Sequence, residues 1–358
     1  MTTRHQTRPL QIGTLPIGGG APVSVQTMTK TDTRDVAATV AQIRSVADLG
    51  CDIVRLAVPD MDAARALRAI RSESPVPLVA DIHFDHRLAI ASAEAGVDAL
   101  RINPGNIGGR GNVREVVAAA RDHGLPIRIG VNSGSVEADL LERFGGPVPE
   151  ALVESALRHV AMLEAEDFHE TKISVKASDV PRTLAAYRLL AARTDYPLHL
   201  GVTEAGTLLA GAVRSAAALG ALLMEGIGDT LRISLTAPPE QEVRAGLELL
   251  RCLGLRAPGP MVTSCPTCGR TQVDVAGVAE AVEARLEAFY RANPGAPRPH
   301  VAVMGCVVNG PGEAKHADIA VAGGKGVFLL YRKGEQVGVI PASEAVDRIV
   351  RLVEEFQP

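Results

Sequence analysis

The chain has no tryptophan, only six phenylalanines and four tyrosines, and no surplus of basic residues. Nucleic-acid surfaces are built from basic stripes and stacking rings, and a formal charge of -4 with 3% aromatic content supplies neither. Small molecules, not nucleic acid, are the expected partners. No apolar run approaches the length of a membrane span, and residues 1–11 are polar and basic without the apolar stretch of an export signal. A cytoplasmic protein that engages no membrane is therefore expected. Cysteine is scarce and odd in number, with five residues. Without an export signal these read as reduced thiols and not as a disulfide framework. What the chain does have is 358 residues with 46% apolar content, enough for about two domains with a sizeable core.

Three of the cysteines lie in the last third, in Ser264-Cys265-Pro266-Thr267-Cys268-Gly269-Arg270 and in Met304-Gly305-Cys306-Val307-Val308-Asn309-Gly310-Pro311-Gly312-Glu313. Thiols at i and i+3 can grip one metal centre from a single turn, and the third comes from a loop of residues that permit sharp bends. No fourth cysteine follows. Four strong ligands suit a structural zinc or an electron-carrying iron-sulfur cluster, whereas three thiolates leave a metal corner for something weaker or exchangeable. Glu313, seven residues beyond Cys306, is placed to supply a hard, weak bond to iron, although a carboxylate in a Gly-Pro-Gly turn is ordinarily just solvated. Zinc held by Cys265, Cys268, Cys306 and either His300 or His316 fits the same spacing. A dithiol redox pair fits less well, because the CxxC segment does not open a helix after a strand near the start of a small domain. The CxxxCxxC spacing of radical S-adenosylmethionine chemistry is absent. Cys51 precedes an apolar strand and Cys252 ends a helix, so both are expected to be buried without a chemical role.

Periodicity predicts strands at 23–28, 53–58, 77–84, 99–104, 126–131, 172–177, 198–203 and 231–236, after a short opening hairpin around Gly18-Gly19-Gly20. The segments between carry helical spacing, as in Val36, Val40, Ile43 and Ala47, or Leu152, Ala156, Val160 and Leu163. Gly50 and Gly96 fall just past helix ends, where a positive φ is wanted. Eight strands alternating with helices over about 250 residues is the pattern of a (β/α)8 TIM barrel. Residues 1–254 are assigned to it, 255–260 to a linker and 261–358 to a smaller α/β module that carries the three thiols. In that module a helix presents Val278, Val282, Leu286 and Phe289 on one face, a strand runs over 300–304, a hairpin turns at Lys333-Gly334 and a last helix begins at Ser343.

Catalytic groups of such barrels sit at the C-terminal ends of the strands, and here those ends are polar. They bring Arg55, Asp81 with His83, Arg101 with Asn103, Arg128 with Asn132, Ser174, Lys176 and Ser178, Glu204, and Arg232 with Ser234. Five cations aimed into one barrel repel one another and lose hydration unless something anionic sits among them. A phosphorylated substrate is the natural occupant, since arginine donates two bonds from a planar fork and lysine supplies a compact charge. The competing reading makes some of the five structural partners of Asp81, Glu204 or Asp229. Gly226-Ile227-Gly228 precedes a strand, whereas a dinucleotide motif follows one and completes a third glycine. His83 reads as a hydrogen-bonding partner and not as a metal ligand.

The strings VQTMTKTDT, DIVRLAVPDMDAA, VADIHFD, LRINPGNIG, PIRIGVNSGS, SVKASD, PLHLGVTEAG, EGIGDTLRISL, SCPTCGR and MGCVVNGPGEA resemble the bacterial 4-hydroxy-3-methylbut-2-enyl diphosphate synthase family. The likeness spans nearly the whole chain and thins after about residue 325. It implies reductive opening and dehydroxylation of 2-C-methyl-D-erythritol 2,4-cyclodiphosphate in the non-mevalonate isoprenoid pathway, with reduced flavodoxin or ferredoxin as electron donor. It also implies a [4Fe-4S] cluster on Cys265, Cys268, Cys306 and Glu313. On that resemblance Arg55, Arg101, Arg128, Lys176 and Arg232 hold the diphosphate, Asn103, Asn132 and Ser234 act as neutral donors, and Glu204 ahead of Asp81 is the candidate general acid. The family further implies a head-to-tail homodimer, in which the cluster module of one subunit caps the barrel of the other.

Overall fold

A computed structural model describes residues 3–103, 105–257, 259–308, 312 and 314–357. The chain divides into two compact units, Met1–Arg256 and Ala257–Pro358. Among the described residues no helix is long and apolar enough to cross a membrane.

The first unit opens with an antiparallel hairpin of β1 (Leu10–Ile12) and β2 (Leu15–Ile17). Its turn lies at Gly13-Thr14 and not at the glycine triplet expected to make it. Gly13 has a φ of 57°, which a tight turn needs and glycine provides without a Cβ penalty. Gly18 instead serves a close approach, since a Cβ there would stand 2.3 Å from the Arg8 carbonyl.

Eight parallel strands follow: β3 (Ser24–Met28), β4 (Ile53–Ala57), β5 (Leu78–Asp81), β6 (Ala99–Ile102), β7 (Ile127–Asn132), β8 (Thr171–Lys176), β9 (His199–Leu200) and β10 (Thr230–Leu231). They pair in the order β8-β7-β6-β5-β4-β3-β10-β9. A parallel bridge between Ile173 and Leu198 brings the two ends of the sheet together, so the strands wrap into the expected barrel. Several strands are shorter than predicted, for local reasons. β5 stops at Asp81 because Phe84 turns left-handed with a φ of 65°. β9 breaks off where Lys176 passes over Gly201, at which a Cβ would meet the lysine Nζ at 2.5 Å.

Helices return the chain between strands. Those starting at Val36, Met61, His86 and Val180 are each capped by an aspartate, Asp35, Asp60, Asp85 or Asp179, whose side chain accepts a backbone N–H of the first turn. Their apolar faces bury the outward residues of the strands, among them Val54, Leu56, Leu78, Ala80, Leu100, Ile102, Ile127, Ile129, Ile173 and Val175. A barrel interior is ordinarily filled by large branched side chains. Here only its N-terminal end is, where Leu10, Ile12 and Ile17 of the hairpin pack on Ile53, Val79 and Ala99. The hairpin is thus an apolar plug, and above it the interior turns polar.

The second unit is a five-stranded sheet in chain order: β11 (Met261–Ser264), β12 (His300–Met304), β13 (Ile319–Gly323), β14 (Val327–Arg332) and β15 (Glu335–Pro341). The first three are parallel and the last two antiparallel. Helices Val275–Ala292 and Ala345–Glu354 cover one face through Val282, Leu286, Ile349 and Val353 against Val301, Val303, Ile319, Val321 and Phe328. The turn at Lys333-Gly334 is where it was expected, with φ of 47° and 83°, the mirror-image geometry favoured in two-residue hairpins. The last helix begins two residues later than predicted, after a 3-10 turn over Ala342–Glu344.

If the plug closes the barrel floor, truncating Ile12, which is fully buried, removes packing from both hairpin and strands. Ile12→Ala is expected to cost about 2–5 kcal/mol of barrel stability, seen as an earlier denaturant midpoint in circular dichroism.

Candidate active site

Period-two alternation carries Arg55, Asp81, Arg101, Arg128, Lys172, Ser174 and Lys176 to the inner side of the barrel, opposite the strand residues that meet the helices. Asp81 is the anion at the centre of one side. Its carboxylate lies 3.1 Å from Arg101 Nη1, 3.7 Å from Arg55 Nε and 3.6 Å from His83 Nε2. Burial raises the proton affinity of Asp81, but Arg55, the His83 hydrogen bond and Arg101 outweigh it and hold the carboxyl well below the usual range. An aspartate so firmly ionised suits positioning and not proton donation. Burial lowers Arg55 to about 10 against the pull of Asp81, with Arg232 and Arg101 adding repulsion. His83 is a hydrogen-bonding partner, 2.7 Å from Arg101 Nη1.

Arg101 also donates to the Gly130 carbonyl at 3.2 Å. A Cβ at residue 130 would stand 2.5 Å from Arg101 Nε, so the glycine on β7 makes the room in which the guanidinium lies.

Across the barrel the counter-charges run out. Arg128 is 1% exposed, donates from Nη1 to Ser174 Oγ at 2.8 Å, and has no partner among the described residues for Nε or Nη2. Burial, then Arg55 and Arg101, lower its proton affinity. Lys176 is lowered in the same way by burial and by Arg128, Arg55, Arg232 and Arg101. A third buried basic side chain, Lys172, stands across from Arg128 in the strand register; it was missed in the sequence, although the alternation Lys172-Ser174-Lys176 was its signal. Deeper still, His199 Nδ1 lies 2.6 Å from Thr230 Oγ1, while its Nε2 and both polar ends of the Gln26 side chain find no partner among the described residues.

Arg232 is held differently. It makes two parallel bonds to the buried Glu242, from Nε at 3.1 Å and Nη2 at 3.2 Å. Thr27 Oγ1 and the Leu235 amide donate to the same carboxylate at 2.8 and 3.0 Å, and Lys30 Nζ lies 3.4 Å away. Glu242 was not anticipated, because it reads locally as an ordinary acidic residue in the first turn of helix Pro239–Cys252. Asn103 is buried, accepts from the Gly105 amide at 3.1 Å, and leaves Nδ2 without a partner among the described residues. Asn132 caps the 3-10 turn Ser133–Ser135 with its side chain. Ser234 is half-buried and Glu204 is exposed. Glu204 takes a φ of 52°, a left-handed conformation that costs a non-glycine residue on the order of 1–3 kcal/mol and recurs at functional sites.

In the second unit, parallel pairing brings two cysteines to one sheet edge. Cys265 follows β11 and Cys306 lies just beyond β12; the Cys265 amide extends their ladder to Val303 O at 3.1 Å. The amide of Gly305, next to Cys306 in the chain, donates to Cys265 Sγ at 3.2 Å. Thr267, with a φ of 61°, folds the turn that carries the exposed Cys268, whose amide donates to Thr271 Oγ1 at 3.1 Å. Gly305 is required here, since a Cβ would meet Thr271 Oγ1 and Val275 Cγ2 at 2.9 Å. Glu313 lies outside the described residues. Among those described, no three His, Cys, Asp or Glu side chains form a group that could hold a metal ion. In a four-iron cluster each thiolate binds a different iron, so the sulfurs stand wider apart than around one zinc. Two thiols at one strand end and a third on the turn that follows, with a backbone N–H aimed at a sulfur, are the donor types such a cluster calls for. His300 does not join them: it opens β12 at the end away from Cys306, bound to Thr263 Oγ1 at 2.7 Å and near the His316 carbonyl. Cys51 is buried as expected, its thiol pushed up to about 12 by desolvation. Cys252 is exposed, contrary to expectation, because the end of its helix leaves the thiol facing Glu248 at 3.5 Å.

A family model for the GcpE TIM-barrel domain matches residues 7–247, and one for the GcpE protein C-terminal domain matches residues 261–355. The chain belongs to the GcpE family. It is 56% identical over 353 residues to the 4-hydroxy-3-methylbut-2-en-1-yl diphosphate synthase (flavodoxin) of Geobacter sulfurreducens, covering 99% of this chain and 98% of that protein. The proteins of the same name from Maridesulfovibrio salexigens and Nitratidesulfovibrio vulgaris are 56% and 58% identical over 344 and 337 residues. These matches cover 96% and 94% of this chain and 94% and 86% of those proteins. GcpE similarity thus runs through both the polar barrel and the thiol-bearing unit.

The Gly130–Arg101 contact gives a direct test of the site. Gly130→Ala must displace Arg101, and the loss of one charge-assisted bonding geometry should weaken binding of inorganic pyrophosphate roughly ten- to hundredfold, with little change in the melting temperature. Calorimetric titration checks it.

Proposed function

We propose that this chain converts 2-C-methyl-D-erythritol 2,4-cyclodiphosphate to 4-hydroxy-3-methylbut-2-enyl diphosphate. The observation that carries the reading is the surplus of buried cations in the barrel, which calls for a multiply charged anion. In the reaction, one ring C–O bond to phosphate and one C–OH bond break, and a carbon–carbon double bond forms. The dianionic ring takes up two electrons and one proton and leaves as a trianionic open-chain diphosphate and water. Negative charge therefore grows as the reaction proceeds, and a cationic enclosure favours its growth.

Arg55, Arg101, Arg128, Lys176 and Arg232 bind the diphosphate, with Asn103, Asn132 and Ser234 as neutral donors. Asp81 and Glu242 hold Arg55, Arg101 and Arg232 in place, and Asp81, kept ionised by its cationic neighbours, serves as a partner and not as a proton donor. Glu204, on a strained turn at the mouth and open to solvent, is the group best placed to deliver the proton that lets hydroxide leave as water. Cys265, Cys268, Cys306 and Glu313 would hold a [4Fe-4S] cluster. Such a cluster supplies electrons one at a time and a Lewis-acidic iron for the departing hydroxyl. The electron donor proposed is reduced flavodoxin, in keeping with the names of the relatives, and the working form is a cytoplasmic homodimer whose subunits share each site.

Anaerobic protein reconstituted with iron and sulfide should hold about four irons per chain, absorb broadly near 400 nm as this cluster type implies, and turn over the cyclodiphosphate with dithionite. Cys306→Ser should lose most of the iron and the turnover. A colourless wild-type protein holding one zinc would overturn the reading. For the shared site, mixing a Cys306→Ser subunit with an Arg128→Met subunit should restore activity that neither has alone, and no recovery would count against a site shared between subunits.

A further inference from the structure

Lys172 has no place in the function just proposed, yet it is among the most deeply buried charged side chains, 1% exposed, with no hydrogen-bond partner for Nζ among the described residues. It sits four residues before Lys176 on β8, about 13 Å further from the mouth at some 3.3 Å per residue. The groups that face it are Arg128 from β7, Arg55 from β4, His199 from β9 and Asp229 from the loop before β10. Asp229 is the anion of this set, and it is already taken. Its carboxylate accepts from Arg4 Nη2 and Thr7 Oγ1 at 3.0 Å and from the Leu198 amide at 2.8 Å. Arg128 lies directly across from Lys172 in register, but its guanidinium reaches up to Ser174, one step nearer the mouth. Lys172 is therefore the layer beneath the arginine that meets the ligand.

We propose that Lys172 is a positioning residue for the diphosphate, acting through Arg128 and taking up a proton as the diphosphate binds. The inference rests on the reading that a diphosphate occupies the barrel mouth. In the free protein, burial first, and then repulsion from Arg128 and Arg55 against the attraction of Asp229, lower the proton affinity of the Lys172 amine well below its ordinary range. An uncharged amine leaves Arg128 free of a like charge below, and its lone pair suits the unpartnered N–H groups of that side chain. When a diphosphate settles above, its negative charge reverses the local field and the amine gains a proton. The resulting ammonium faces Arg128 from the barrel floor and favours a guanidinium engaged upward with the phosphates. The sign follows from linkage: binding that takes up a proton weakens as pH rises between the amine's low value in the free protein and its higher value in the complex.

The test is calorimetric titration of the cluster-loaded, unreduced protein with the cyclodiphosphate, in two buffers of different ionisation enthalpy and across pH. The wild type should take up protons on binding. Lys172→Met should take up fewer, by about half a proton at the middle of the window, bind roughly tenfold more weakly at its acid end, where a one-unit shift is a tenfold linkage effect, and show a flatter pH dependence. Its KM should rise more than its kcat falls, which a general loss of folding would not produce. Lys172→Gln serves as a second variant if the methionine form fails to fold. Binding by the wild type without proton uptake would overturn the proposal, as would uptake unchanged in both variants. Absence of any binding by the wild type would overturn the underlying substrate reading and the proposal with it.

Discussion

Positive charge enclosed in low dielectric without enough negative charge beside it is the constraint on which the barrel is organised. An arginine or lysine moved from water into a protein interior loses hydration that only a close anion or a set of good acceptors restores. Inside this barrel the protein supplies two such anions at the mouth. Asp81 serves Arg55 and Arg101, and Glu242 serves Arg232, with Thr27 and a backbone amide completing its coordination. Among the described residues nothing comparable serves Arg128, Lys172 or Lys176. A structure that leaves buried donors unmatched holds them ready for a partner that arrives from outside, and a diphosphate brings the charge and the many acceptors that are missing. The apolar hairpin plug beneath and the helix-facing branched residues around the strands keep this polar interior in place.

The thiol unit solves a different problem with a simpler device. Two adjacent parallel strands end at the same edge, so cysteines far apart in sequence meet without any long loop having to be ordered. Gly305 lets the chain after β12 run close under Thr271 and Val275, and its amide then points at Cys265 Sγ. If Cys265 holds the proposed cluster, that amide would be one of the means by which the protein tunes the cluster's potential.

The alternation of strands and helices was legible because both periodicities are strong here: outward strand residues are almost all branched and apolar, and the inward ones above the plug are mostly polar. Arg55, Asp81, Arg101, Arg128 and Lys176 could be picked out for the same reason, since a charged residue every second position in an otherwise apolar run has few structural explanations. Lys172 escaped because it opens its strand, where polar residues are common. Glu242 escaped because its role depends on a helix folding back over β3 and β10, which no local pattern states. The opening hairpin was misplaced for a related reason: the three glycines do make a turn, closed by the Ala21 amide on the Gly18 carbonyl, but it follows β2 and does not join the hairpin's strands. The exposure of Cys252 likewise depends on how the end of one helix meets solvent, which its apolar neighbours do not reveal.

The central claim is that the ligand-free barrel holds cationic charge at a cost to its own stability, in exchange for binding. Replacing Arg128 by methionine, which fills the space without the charge, tests this most directly. The measurement is the melting temperature with and without the cyclodiphosphate. The account predicts that Arg128→Met melts higher than the wild type when no ligand is present, as replacement of buried unmatched charge can allow, and that the ligand no longer stabilises it. A variant that melts lower than the wild type without ligand, or that the ligand stabilises as strongly as it does the wild type, would contradict the account.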